Sequence, residues 1–270
     1  MSKFKLVITD VDGTLVTTNK TLTPSAIAAV QRLHDAGVHF SICSSRPPFG
    51  LRMMIDALKI TIPLGGYNGG AIVEADADLN VIEMKTIPPD AAKQAVAIFR
   101  RHNIDPWVFI GNEWVIANRQ GAHVDHEIHT IHVQPTVVPE FEDKHFSAVG
   151  KIVGPSDDHP LVLKVAAEIQ ATLHGQVHAA RSQAYYCDVI PQGIDKGRIC
   201  EILGERLHIP REEILVLGDM ENDLGMFRKA GFAVAMGNAT DDVKSEAQGT
   251  TGSNDEDGWA QAIDRYVLGK

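Results

Sequence analysis

Cysteine is scarce. The three present, Cys43, Cys187 and Cys200, are widely spaced and odd in number. They supply neither a disulfide framework nor a zinc-binding pattern and suit a reducing compartment, so a cytoplasmic location is expected. Basic residues are in deficit: 25 Lys and Arg stand against 35 Asp and Glu, a net charge of -10. That argues against nucleic acid or an anionic membrane surface as the main partner. No hydrophobic run reaches the length of a membrane span, and the amino-terminal stretch has no signal-peptide apolar core. Internal repeats and low-complexity tracts are also missing. What is there is 270 residues, 44% hydrophobic and 22% charged, enough for one large domain or two smaller ones.

One stretch organises the chain. The β-rich run Phe4 to Thr9 ends in Asp10-Val11-Asp12-Gly13-Thr14. In an extended strand, residues two apart point to the same side, roughly 6–7 Å from one another. Asp10 and Asp12 are therefore expected to face one ligand together, with Gly13 turning the backbone away. Ligands of open parallel α/β sheets collect at the carboxyl ends of strands. An EF-hand loop also begins Asp-x-Asp, but it needs glycine at the sixth position and a helix before it. A plain Asp-Gly hairpin would need a partner strand, and the next clear element is a helix.

That helix starts at Thr23-Pro24, a capping residue followed by proline at the first helical position. Ile27, Val30 and Leu33 recur at helical spacing, and Gly37 closes the element. Val38–Cys43 reads as a buried strand, about 49–58 as a helix, and Ile62-Pro63-Leu64 leads into a glycine-rich turn, 65–70. Strand and helix alternate as in a parallel sheet with crossover helices. The rhythm then changes. Hairpin signals at 71–87 and around Gly111-Asn112, helices at 89–102 and 160–174, and strands at 177–181 and 185–190 indicate an α+β module. Alternation resumes at Gly193, with helices from Lys196, at 222–230, 241–247 and 258–268, and strands at 213–217 and 232–236. The expected fold is α/β: a doubly wound, mainly parallel Rossmann-like core of 1–83 and 185–270, split by an inserted α+β cap of 84–184.

Polar residues then fall at matching places. Asp10 and Asp12 follow the first strand, Ser44 follows the second, Lys196 opens a helix, and Asp219 follows a later strand with Asn222 and Asp223 just beyond. Four aspartates gathered within about 5 Å would repel by roughly 3 kcal/mol per pair at an effective dielectric near 20. Such a cluster needs a cation, and all-oxygen ligands fit Mg²⁺, which commonly bridges to a phosphate. Ser44 and Lys196 add a hydroxyl donor and a cation suited to a dianion. Metal, carboxylates and phosphate donors together point to phosphoryl transfer.

With these motifs the chain resembles a haloacid-dehalogenase-superfamily phosphatase of the Cof type, with a class IIB cap inserted after the second motif. The resemblance rests on Asp10-Val-Asp-Gly-Thr14, Ser44-Ser-Arg46, Lys196, Gly218-Asp-Met-Glu-Asn-Asp223, Met236-Gly-Asn-Ala239 and Asn254-Asp-Glu-Asp-Gly258. It spans nearly the whole chain, the cap by size and placement more than by residues. It implies a Mg²⁺-dependent phosphatase of a small phosphorylated metabolite. Asp10 would be the nucleophile forming an aspartyl-phosphate and Asp12 the general acid and base. Asp10, Asp12 through its carbonyl, Asp219 and Asp223 would hold or support the metal. Ser44, Ser45, Arg46, Asn68, Lys196 and Asn222 would meet phosphate or substrate. The family usually has glycine where this chain has Ser45, and a serine serves there if its φ is negative. The inserted cap would be the specificity element.

Other readings stay open beside this one. Phosphotransfer to an acceptor other than water, as in a phosphomutase, uses the same residues. A receiver-type phospho-acceptor module also uses an aspartate and Mg²⁺, but lacks an acid two residues on and an insertion of about 100 residues. His123, His126, His129 and His132 recur every third residue and read as a polar, solvated segment rather than a metal site. Trp107 and Trp114 read as core. Asp195 reads as a cap, and the acids of 255–257 as caps of the last helix.

Overall fold

A computed structural model describes residues 2–269. The chain runs through β1 (Leu6–Thr9), α1 (Pro24–Asp35), β2 (His39–Ile42), α2 (Arg52–Leu58), β3 (Leu64–Gly66), β4 (Ala71–Val73) and β5 (Val81–Met84). Next come α3 (Pro89–Arg101), β6 (Trp107–Ile110), β7 (Glu113–Ile116), α4 (Val124–Ile131), β8 (Thr136–Val137), β9 (Val149–Pro155), α5 (His159–Thr172), β10 (Val177–Gln183) and β11 (Tyr186–Pro191). The last part holds α6 (Arg198–Leu207), β12 (Ile214–Gly218), α7 (Leu224–Lys229), β13 (Phe232–Ala235), α8 (Asp241–Ser245), β14 (Gly249–Thr250) and α9 (Gly258–Ala262). Two compact units result: the residues up to Ile82 with those from Asp195 onward, and Glu83–Ile194.

The first unit is built on a five-stranded sheet in the order β14-β13-β12-β1-β2. Every pairing in it is parallel. Alternation along β1 sends Val7 into one apolar layer, with Leu33, Leu51 and Trp259. Leu6 and Ile8 enter the other, with Ile199, Leu203 and Met226. The sheet is thus covered on both faces, as a parallel sheet requires. α1 begins as its sequence dictates: Thr23 Oγ1 accepts from the Ala26 N–H at 3.2 Å, and Pro24 takes the first turn. From β1 the chain winds outward to β2, and later returns to β12 on the opposite side of β1 and winds the other way. β1 and β12 therefore flank the point where strand order reverses, the place where such sheets bind ligands.

The second unit has a six-stranded sheet in the order β10-β11-β9-β6-β7-β8. It is antiparallel except for β7 with β8. α3 and α5 supply Phe99, Val96, Val162 and Ile169 to a core against Val108, Val115, Ile152 and Val189 of this sheet. Trp107 and Trp114 are buried. Two features differ from the sequence reading. β11 pairs with both β10 and β9, so the return to the first unit falls at 194/195 rather than 184/185. The central strand β9 was not anticipated, and neither was α4. Among the described residues, no helix is long and apolar enough to cross a membrane.

Candidate active site

β1 and β12 end side by side, and the ladder continues one residue further with the Asp10 N–H donating to the Leu217 carbonyl at 3.0 Å. Asp10 and Asp219, each the first residue after its strand, are thereby neighbours. Lys196 lies in the turn before α6, and its ammonium donates to Asp10 Oδ1 and to Asp223 Oδ1, both at 2.7 Å. Asp223 is held from behind: its Oδ2 accepts from the N–H groups of Asp219 and Met220 at 2.9 and 3.0 Å. Asp10, Asp219 and Asp223 can each offer a carboxylate oxygen within 4.8 Å of the others, and all three are buried. Among the described residues this is the only His/Cys/Asp/Glu group so arranged.

Three further residues shape the cluster. Thr14 Oγ1 donates to Asp219 Oδ1 at 2.7 Å. Asn238 Nδ2 donates to the Gly13 carbonyl at 2.9 Å and reaches Asp219 Oδ2 at 3.4 Å. Gly13 has φ +82°, and a Cβ there would sit 2.4 Å from Asp219 Oδ2. Only glycine combines that backbone conformation with that approach. Thr14 and Asn238 both lie within the motifs the sequence displays, 10–14 and 236–239, but neither had an assigned task.

The Asp12 side chain is held by Arg46, whose Nε donates to Oδ2 at 2.8 Å and Nη2 to Oδ1 at 2.7 Å. Lys20 Nζ lies 2.9 Å from Oδ1. β1 itself stops at Thr9. Beyond it the N–H groups of Thr14, Leu15 and Val16 all converge on the Val11 carbonyl, so the backbone is turning by Asp12. Arg46, expected to meet substrate, is thus spent at least in part on an acid. Lys20 carried no sequence signal and was missed.

The second strand supplies Ser44, fully buried, whose Oγ accepts from the Arg46 N–H at 3.1 Å. That leaves its hydroxyl proton with no acceptor among the described residues. Ser45 is not among the residues of positive φ, so the position filled by glycine elsewhere accommodates it. Asn68 and Asn222, 154 residues apart, meet through Asn222 Nδ2 and Asn68 Oδ1 at 3.2 Å. Asn68 adopts a left-handed conformation, φ 57° and ψ 36°. Asp195 Oδ1 accepts from the Gly197 N–H at 2.7 Å, a local turn as its type suggests. Within the second unit, His123, just before α4, pairs with Asp157, and His126 on α4 pairs with the Tyr185 hydroxyl. Asp257 stands at the N-cap of α9 and its carbonyl accepts from the Gln261 N–H, but its side chain makes no capping bond there; Asp255 accepts from Thr18 and Asp257 from Thr23 and Ser25.

Electrostatics divides these acids in two. Burial would raise Asp12, but Arg46 and Lys20 outweigh it and hold the carboxyl below its ordinary range. Burial pushes Asp10 well up, against the pull of Lys196, and the charges of Asp223 and Asp219 add to the rise. Asp219 is pushed up to about 7, by burial and then by Asp223. Burial alone would lower Lys196, yet Asp10 and Asp223 raise it. Three carboxylates share one ammonium, so the cluster is short of positive charge. The donor set, carboxylate oxygens at the mouth of a parallel sheet, fits a hard divalent cation that would reverse those upward shifts.

Comparison with known proteins identifies the family. The sequence profile of the haloacid dehalogenase-like hydrolases matches residues 7–263. The chain is 28% identical over 268 residues to the 5-amino-6-(5-phospho-D-ribitylamino)uracil phosphatase YitU of Bacillus subtilis, covering 97% of each. It is also 28% identical over 275 residues to the pyridoxal phosphate phosphatase YbhA of Escherichia coli, covering 98% of this chain and 99% of that one. A solved haloacid dehalogenase-like hydrolase from Bacteroides thetaiotaomicron superposes with a TM-score of 0.89 at 29% identity, over 97% of this chain and 99% of that chain.

Proposed function

The chain belongs to the haloacid dehalogenase-like hydrolase family, and on that premise we propose that it is a Mg²⁺-dependent phosphatase of small phosphorylated metabolites. The observation that carries this reading is the buried set of Asp10, Asp219 and Asp223, with Lys196 bonded to two of them. Asp10 and Asp219, with the Asp12 carbonyl, would hold Mg²⁺, whose charge offsets the repulsion between carboxylate and phosphate.

The chain's own groups then divide the reaction into two displacements. Lys196 fixes Asp10 through Oδ1. Asp10 Oδ2, which takes no hydrogen bond among the described residues, attacks phosphorus. The bond from phosphorus to the leaving oxygen breaks, and Asp12 gives that oxygen a proton. Water then attacks the aspartyl-phosphate, Asp12 takes a proton from it, and the bond to Asp10 breaks to release phosphate. The free hydroxyl proton of Ser44 and the ammonium of Lys196 serve the phosphoryl oxygens as charge shifts. Asp223 keeps Lys196 and the Asp219 backbone in place rather than acting directly, because both its oxygens are engaged. Asn68 and Asn222 brace one another beside the substrate.

The relatives' names, one for a phosphorylated ribitylaminouracil and one for pyridoxal phosphate, support a phosphomonoester of a small metabolite as substrate. The test is phosphate release over sugar phosphates, nucleotides and cofactor phosphates, with Mg²⁺ and with chelator. Asp10→Asn should abolish turnover while its melting curve stays that of a folded protein. Turnover near wild type in that variant would remove Asp10 from the nucleophile's role.

A further inference from the structure

The carboxylate of Asp12 has about four acceptor positions, two on each oxygen. Among the described residues two are taken by hydrogen bonds: Oδ2 receives Arg46 Nε and Oδ1 receives Arg46 Nη2. The Lys20 ammonium lies 2.9 Å from Oδ1 as an ion pair, so Oδ2 is the oxygen with a place left clear of positive charge. Arg46 by itself would leave the two oxygens equivalent, with one open place each. Lys20 is the group that breaks the tie.

Lys20 is held in place by a built loop. The Thr17 N–H donates to the Thr21 carbonyl and the Lys20 N–H to the Thr17 carbonyl, at 3.0 and 2.8 Å. Lys20 itself has φ 61°, a conformation a long side chain seldom adopts unless its surroundings impose it. Residues from the far end of the chain hold the loop around it. Asp255 Oδ1 and Oδ2 accept from the N–H and hydroxyl of Thr18 at 2.8 and 2.7 Å. Asn254 Nδ2 donates to the Val16 carbonyl at 3.0 Å, and Asp257 takes the hydroxyl of Thr23 where the loop enters α1. The 254–258 motif thus clamps both ends of the loop that carries Lys20.

We infer that Lys20 is a positioning residue for Asp12: clamped by the 254–257 turn, its ammonium lies against Oδ1 and leaves Oδ2 as the oxygen that carries the transferred proton. The inference rests on the reading of Asp12 as general acid and base given above. A misplaced acid matters when the leaving group needs its proton and matters little when it does not.

The experiment compares benzyl phosphate, whose leaving alkoxide requires protonation, with 4-nitrophenyl phosphate, whose phenolate does not. Lys20→Met should lower kcat/KM for benzyl phosphate by about 10-fold, less than the roughly 10²–10⁴-fold that loss of the acid itself would cost, and at least 5-fold more than for 4-nitrophenyl phosphate. Lys20→Arg should recover most of the loss, and Asp255→Asn should show the same leaving-group bias more weakly, since it loosens the clamp without touching Asp12. Asp12→Ala runs beside them. If Asp12→Ala shows the bias and Lys20→Met does not, Lys20 has no such role and the inference falls alone. If Asp12→Ala itself affects both substrates equally, the acid–base reading fails and takes the inference with it. Equal losses on the two substrates for Lys20→Met, with an unchanged melting curve, also overturn it.

Discussion

Removing divalent cations should make this protein less stable as pH rises from 4 to 7.5, and adding Mg²⁺ should cancel the loss. The reason is Asp219, pushed up from an ordinary 3.8 to about 7 by burial and by Asp223, with Asp10 raised beside it. The sign follows from proton counting. Below the unfolded value both states are protonated, and the raised folded value contributes its full stabilisation. Between about 4 and 7 the folded state keeps a proton that the unfolded state has released, so stability falls with pH. Asp12 works the other way, because Arg46 and Lys20 depress it, but its contribution is lost only as pH falls below the ordinary carboxylate range, outside this window.

The size can be bounded. Moving one carboxylate from 3.8 to about 7 corresponds to about 4 kcal/mol at 1.36 kcal/mol for each tenfold change in proton affinity. About 4 kcal/mol is therefore the scale set by Asp219 alone, with Asp10 raised in the same direction, and a loss below about 1 kcal/mol would not fit. Urea unfolding at half-unit pH steps reads it, once with chelator and once with Mg²⁺. A cation that binds only the folded, ionised cluster adds stability that grows as the carboxylates give up their protons. The two curves should therefore diverge with rising pH, and Asp219→Asn should flatten the chelator curve. Parallel curves would mean that the cluster holds no dication, and the metal reading would fail whatever the enzyme's activity.

Two other perturbations probe the same centre. Lys196→Met leaves two buried carboxylates without their shared cation; a loss of about 3–5 kcal/mol in unfolding free energy is expected, and a loss below about 1 kcal/mol would show that Lys196 is not their main compensation. Gly13→Ala puts a methyl group against Asp219 Oδ2 at a φ that only glycine adopts freely; Mg²⁺ stabilisation measured by thermal shift should shrink or vanish, and retention of the full shift would mean that Asp219 can move aside without cost to the metal.

How far the sequence spoke depended on where each residue sits. The parallel core was readable because its strands are short apolar runs punctuated by Pro, Gly and Asp, and because crossover helices such as α1 carry caps that declare themselves. Asp10, Asp219, Asp223 and Lys196 were readable for a related reason: each stands where an element begins or ends, so topology alone delivers them to one end of one sheet. β9 was not readable. Its sequence, Val-Gly-Lys-Ile-Val-Gly-Pro, mixes two glycines and a lysine into a strand that is buried along its whole length. What makes it tolerable is Asp188 on the neighbouring β11, 2.6 Å from Lys151, a partner 37 positions away that no local pattern announces.

Asp12 is a different case: alternation is a property of strands, and Asp12 stands three residues past Thr9, where β1 ends. The acids of 255–257 were read as local caps because short-range turns are the commonest use of such residues. In the structure they reach instead to Thr18, Thr23 and Ser25, more than 230 positions back. In both places the partners lie far along the chain, where sequence neighbours give no sign of them. The residues that orient Asp12 come from three separate segments, with Arg46 from the second motif, Lys20 from a strained loop, and Asn254 and Asp255 holding that loop from the carboxyl end. A motif with no chemistry of its own, such as 254–258, is therefore best understood as a brace for one that has it.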